Sequence, residues 1–100
     1  MELVNFKQSE VLAMLEADLL ETMKNNKFVN VHIYSNLADV SHCVIPDEII
    51  IEDYLMITEK HFEFNVHFDN VKLFEITKDE YEHSYHMRCD DMYIDFYFNL

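Results

Sequence analysis

The 100-residue chain has no glycine, no tryptophan, one proline and two cysteines, and sets only seven lysine and arginine residues against twenty acids. The missing glycine removes every motif in which bare backbone must approach a phosphate or strain a nucleophile: the phosphate-binding loop, the dinucleotide fingerprint and the hydrolase elbow. It also moves turn positions of positive φ onto Asn and Asp, which tolerate them next best. Asn25-Asn26, Asn36, Asp69-Asn70 and Asp90-Asp91 stand where turns are needed. Cys43 and Cys89 are too few for a disulfide-stapled secreted scaffold. The chain opens Met1-Glu2-Leu3 with neither a basic segment nor an apolar signal core, and no run nears membrane-spanning length. The expected compartment is the cytoplasm, with both thiols reduced.

The scarcity of bases leaves a net charge of −13. Residues 1–38 hold five acids and three bases, whereas residues 39–100 hold fifteen acids and four bases. Such a field repels nucleic acid and anionic membrane and speeds encounter with basic partners. Neither direct nucleic-acid binding nor membrane association is expected.

Half of the residues are hydrophobic and fourteen per cent are aromatic, so the chain has the material for one packed domain. Its organising stretch is His61 to His67 with Phe68, where Phe62, Phe64, Val66 and Phe68 alternate with His61, Glu63, Asn65 and His67. A period of two belongs to a half-buried strand. Upstream, residues 54–58 fold back over Glu59-Lys60, which sets Ile57 opposite Phe62 and Leu55 opposite Phe64. Downstream, Asp69-Asn70 reverses the chain into residues 71–76. That segment breaks step, since Phe74 and Ile76 want the face on which a two-residue loop would place Glu75. A bulge near Leu73-Phe74 or a three-residue loop would resolve the conflict.

Before this stretch, Leu12, Leu15, Leu19 and Met23, widened by Val11, Ala17 and Leu20, predict an amphipathic helix over about residues 6–25. Asn5 with Gln8, or else Ser9, would cap it, and Asn25-Asn26 would end it. The predicted strands cover about residues 28–34, 40–45, 49–58, 61–68, 71–76, 81–89 and 92–99, with the acidic turn Glu52-Asp53 inside the third. Pro46 ends the second, as expected at an edge. A hairpin at Asp90-Asp91 pairs Met87 with Ile94, Tyr85 with Phe96, Tyr81 with Leu100, His86 with Asp95 and Arg88 with Tyr93. The rival is a short helix over residues 78–86 behind the capping box Thr77-Lys78-Asp79-Glu80. The fold class predicted is α+β, one amphipathic helix packed on an antiparallel meander of five to six strands in a single domain.

No constellation carries catalysis. His83, His86, Cys89 and His42-Cys43 have the chemistry of zinc ligands, but on a strand His83 and His86 face opposite ways. Surface histidines and buried cysteines are expected instead, with no metal and no cofactor. Glu52-Asp53 and Asp90-Asp91 read as solvated turns, since without a pocket nothing separates their pKa values. The protein is therefore expected not to be an enzyme. The partner-binding residues expected are the acids of reversals and outer faces, Glu52, Asp53, Glu59, Glu63, Glu80, Glu82, Asp90, Asp91 and Asp95. Tyr93 and Tyr97, on the outer face of the last strand, join them because tyrosine suits interfaces.

Alternate strand positions repeat at ~6.6 Å, comparable with successive phosphates of a nucleic-acid strand. A small, acidic, motif-poor chain of this kind resembles the phage-encoded inhibitors of host defence, the anti-CRISPR proteins and anti-restriction DNA mimics, in size and composition. The resemblance implies a stoichiometric binder of a basic protein or nucleoprotein complex, a nuclease and foremost a CRISPR effector, acting in the host cytoplasm. The alternatives are an immunity protein against a basic toxin and a homo-oligomeric module that buries a sheet face by dimerising.

Overall fold

The computed structural model describes the backbone of residues 2–4 and all of residues 8–99. In chain order the elements are β1 (Glu2–Val4), α1 (Gln8–Lys24), β2 (Val29–Ser35), β3 (Asp39–Val44), β4 (Glu48–Ile51), β5 (Tyr54–Glu59), β6 (Phe62–His67), a 3-10 turn (Phe68–Asn70), β7 (Leu73–Lys78), β8 (Glu82–Cys89) and β9 (Met92–Asn99). The expected architecture holds: a helix near the N-terminus packs on antiparallel sheet. The described strands form two sheets, however, and not one meander of five to six. One has six strands in the order β1-β7-β8-β9-β2-β3, and the other has three in the order β4-β5-β6.

The division explains the broken step of the segment after Asp69-Asn70. β7 does not pair with β6; it joins β8 and β1 in the large sheet. The 3-10 turn carries the chain from one sheet to the other, so Phe74 and Ile76 reach the core with neither bulge nor loop adjustment. Within the predicted span 49–58, β4 and β5 fold about the acidic turn Glu52-Asp53 as expected. In the β5–β6 hairpin the reversal falls on Lys60-His61, not on Glu59-Lys60. Ile57 is therefore opposite Phe64 and Leu55 opposite Val66, a shift of register that leaves both faces unchanged. The last hairpin matches its predicted register at Met87–Ile94, Tyr85–Phe96, His86–Asp95 and Arg88–Tyr93. The predicted partner of Tyr81, Leu100, lies outside the described residues. The rival helix over residues 78–86 does not form, because Asp79 Oδ1 accepts the backbone N–H groups of Tyr81 at 2.8 Å and Glu82 at 2.9 Å and turns the chain into β8.

Alternation builds the core. Val29, Val31, Val44, Phe74, Ile76, Tyr85, Met87, Ile94, Phe96 and Phe98 project from one face of the large sheet and are buried. The helix and the small sheet cover that face together, with the Phe64 ring edge-on to Phe96 at 5.5 Å between centroids. The buried helical stripe is Val11, Leu15, Leu19 and Thr22. It is turned slightly from the predicted one: Leu12 only flanks the core, and Ala17 and Leu20 are exposed. The helix ends as expected. Asn26 takes φ 54°, the Lys27 N–H reaches the Thr22 carbonyl at 2.9 Å, and the Asn26 N–H reaches that of Met23 at 3.2 Å. Those two bonds define a Schellman cap with asparagine in place of glycine. The expected cap at Asn5 lies outside the described residues, and Ser9 is within the helix, not at its cap. Positive φ among the described residues falls on Asn26 and Asp90, not on Asn36 or Asp69-Asn70.

Candidate interaction surface

Core residues occupy one face of the large sheet, so the alternate residues form a second face that no other element covers among the described residues. The strand registers order it into rows. One row runs Leu73, Arg88, Tyr93, Tyr34, Asp39 across β7, β8, β9, β2 and β3. The next runs Glu75, His86, Asp95, His32, Ser41, and the third Thr77, Ser84, Tyr97, Asn30, Cys43. Tyr93 and Tyr97 therefore lie on the sheet face opposite the helix.

At the middle of this face Asp95 is buried. His86 Nδ1 meets its Oδ1 at 2.9 Å, and the Tyr97 hydroxyl donates to its Oδ2 at 3.1 Å. On the far side of the imidazole, His86 Nε2 meets Thr77 Oγ1 at 3.0 Å. Burial by itself raises the Asp95 carboxyl, but the hydrogen bond and charge of His86, with hydrogen bonds from Tyr97 and Tyr34, outweigh it and hold the group below the usual carboxylate range. The same contact works in reverse on the tyrosines. Burial first, then the Asp95 charge, pushes Tyr97 up to about 12 and Tyr34 up in the same direction. Asp95 was expected as a partner-facing charge; here it is enclosed by its own neighbours.

Beside it the aromatic rings are ordered. Tyr34 stacks on Tyr93 with centroids 5.1 Å apart and planes 11° from parallel, and the His32 ring lies tilted 4.8 Å from Tyr34. His32 Nε2 is also hydrogen-bonded to Asp39 Oδ1. Tyr34 and His32 were not among the residues expected at the site. Their signal was the alternation of β2, which put Val29, Val31 and Ile33 inward and so sent them outward.

The remaining acids do not make one patch. Consecutive hairpins reverse at alternate ends of a sheet, so the β7–β8 turn with Glu80 and the β8–β9 turn with Asp90-Asp91 are separated by the eight residues of β8, about 26 Å at ~3.3 Å each. Glu52-Asp53 belongs with Asp90-Asp91. The crossover 68–72 joins the two turns, through Phe68 N–H to Asp53 carbonyl at 3.0 Å, Lys72 N–H to Arg88 carbonyl at 2.7 Å, and Lys72 Nζ to Asp90 at 3.6 Å. All four acids are exposed. Glu59 is used internally, accepting the Ile45 N–H at 2.8 Å and facing His42 at 3.6 Å. Glu82 accepts the Ser84 hydroxyl at 3.0 Å, and Glu63 lies exposed on the small sheet.

The histidines separate as strand geometry requires: His83 turns to Asp18 on the helix at 3.0 Å, and His86 to the open face. Among the described residues no group of three or more His, Cys, Asp or Glu side chains converges on a metal position. Cys43, expected to be buried, is exposed at the sheet edge and donates its thiol to Asn30 Oδ1. Burial, then Asp90, raises the Cys89 thiol.

No family model, no curated protein and no solved structure matches the chain.

Proposed function

We propose that this protein is a non-enzymatic inhibitor that occupies a basic nucleic-acid or recognition groove of a host-defence nuclease, foremost a CRISPR effector, through acidic side chains. The observation that carries this reading is the exposed group Glu52, Asp53, Asp90 and Asp91, which two sheets and one crossover hold at the same end of a chain of net charge −13. Carboxylates on turns of a hydrogen-bonded frame keep their spacing without an ordering cost on binding, as a preorganised polyanion mimic requires.

The non-enzymatic part rests on the open face. Thr77, His86 and Asp95 are joined as a nucleophile, base and orienting acid would be. Yet they stand on paired strands whose N–H groups serve the ladder, so a developing oxyanion would meet no convergent donors.

The test is inhibition of purified CRISPR effector nucleases by the protein and by the variant Glu52→Gln, Asp53→Asn, Asp90→Asn, Asp91→Asn. The variant is expected to lose at least tenfold in potency, or roughly 1.4 kcal/mol. Affinity of the unaltered protein should fall as salt screens the charges over a Debye length of ~8 Å at physiological ionic strength, and guide or target nucleic acid should compete. Unchanged potency in the variant would end the reading.

A further inference from the structure

The row Leu73, Arg88, Tyr93, Tyr34, Asp39 places opposite charges symmetrically, although Asp39 already bonds His32 of its own copy. Its centre falls between Tyr93 on β9 and Tyr34 on β2. Arg88 lies one strand beyond Tyr93, and Asp39 one strand beyond Tyr34, so the two opposite charges are equidistant from that centre. Arg88 is exposed and forms no ion pair with the described residues, and the Asp39 side chain is 72% exposed. A two-fold axis along the strands, passing between β9 and β2, would lay each Arg88 over the partner's Asp39. It would also place each His32 over the partner's Asp95, one row along. No pair of like charges meets in either row.

We infer that a second copy of this chain covers the open face of the six-stranded sheet, in a two-fold dimer centred on Tyr34 and Tyr93 and closed by two Arg88–Asp39 pairs. An isologous contact requires a self-complementary surface, and these rows are one. The two tyrosines at the centre are stacked on each other, and tyrosine and arginine are the residue types that anchor protein interfaces. Five strands at ~4.8 Å and about five residues at ~3.3 Å outline a patch on the order of 400 Å² in each copy. That is small beside the ~800 Å² per partner of a standard interface, so the dimer is of the weak, concentration-dependent kind. An axis along the strands keeps both Asp90-Asp91 turns at the same end, which doubles the acidic end without covering it. The dimer stands independently of the groove-binding reading.

Sedimentation equilibrium from low to high micromolar protein tests it. The unaltered chain should dimerise. Arg88→Glu and Asp39→Lys should each be monomeric, because each sets like charges together at both symmetric contacts. Both residues are exposed, and thermal unfolding checks that each variant folds. Mixing the two monomeric variants should restore a heterodimer, since both contacts then join opposite charges. A chain that stays monomeric throughout the range overturns the inference. So do single variants that still dimerise, monomeric variants that do not associate when mixed, and an Arg88→Glu variant that gains affinity for a nona-arginine peptide while the unaltered chain is monomeric, which would give the face to a basic partner.

Discussion

The hydroxyl of Tyr85, on the core face of β8, donates a hydrogen bond to Asp18 Oδ2 on the helix, the same oxygen that faces His83 Nδ1 at 3.0 Å. Helix and sheet are thus joined at a part-buried polar point beside the apolar contact. Replacing Asp18 by Ala strands the Tyr85 hydroxyl, whose residue is fully buried. A loss of about 1–3 kcal/mol is expected. Tyr85→Phe removes the donor as well and leaves Asp18 with His83 and partial solvent, so it should cost less, near 1 kcal/mol. Urea unfolding of the two variants checks the order; a larger loss for Tyr85→Phe would show that the hydroxyl is not what Asp18 serves.

The turn of the helical stripe is tested by a pair of leucines. Leu15 is fully buried and Leu20 is 45% exposed. Leu15→Ala should cost about 2–5 kcal/mol, as a core cavity does, and Leu20→Ala within about 0.5 kcal/mol. Comparable losses at the two positions would put the helix in a different rotation.

At the end of the helix, Asn26 holds φ 54° with a side chain attached. Ala there loses the local compensation that lets asparagine accept the left-handed region, and about 1 kcal/mol of stability should go with it. Gly should match or exceed asparagine. Thermal unfolding of Asn26→Ala and Asn26→Gly distinguishes them, and an Ala variant as stable as Gly would contradict the cap.

Alkaline pH should unfold the protein through its tyrosines. Burial first and Asp95 second push Tyr97 up to about 12; burial and Asp95 raise Tyr34, and burial and Asp18 raise Tyr85. Unfolded tyrosine ionises near ~10, so above that pH the unfolded state binds fewer protons than the native one. The contribution is therefore complete below ~10 and is lost as pH rises from there through about 12. Unfolding free energy measured across this window should fall, and less steeply in Tyr97→Phe. Asp95 behaves oppositely. Its carboxyl is held low, so its contribution is complete above ~3.9 and lost as pH falls through the native value.

Much of this was legible in the chain because strand faces are a local property. The alternation of residues 62–67 and 92–99, the pairing of Met87 with Ile94 and of His86 with Asp95, and the asparagine stop at residue 26 each involve neighbours in sequence or partners across a short turn. Even the rows of the open face were half written, since every core position on a strand dictates an outward one beside it. The charge of −13 and its concentration after residue 38 are likewise properties of composition.

Only the tertiary structure decided which sheet each strand enters. The break at residues 71–76 looked like a register fault because sequence reasoning extends a meander to its nearest neighbour; the chain instead crosses to pair β7 with β8 and β1. That choice depends on burying Phe74, Ile76 and Tyr85 together under the helix, a long-range packing gain with no local signal. It also fixed the fate of the acids. Glu52-Asp53 and Asp90-Asp91, far apart in the chain, are linked through the 68–72 crossover, while Asp95, which alternation alone presents as a surface charge, is enclosed by residues from β2, β8 and β9. Local periodicity says which way a side chain points, and only the packing of distant segments says what it finds there.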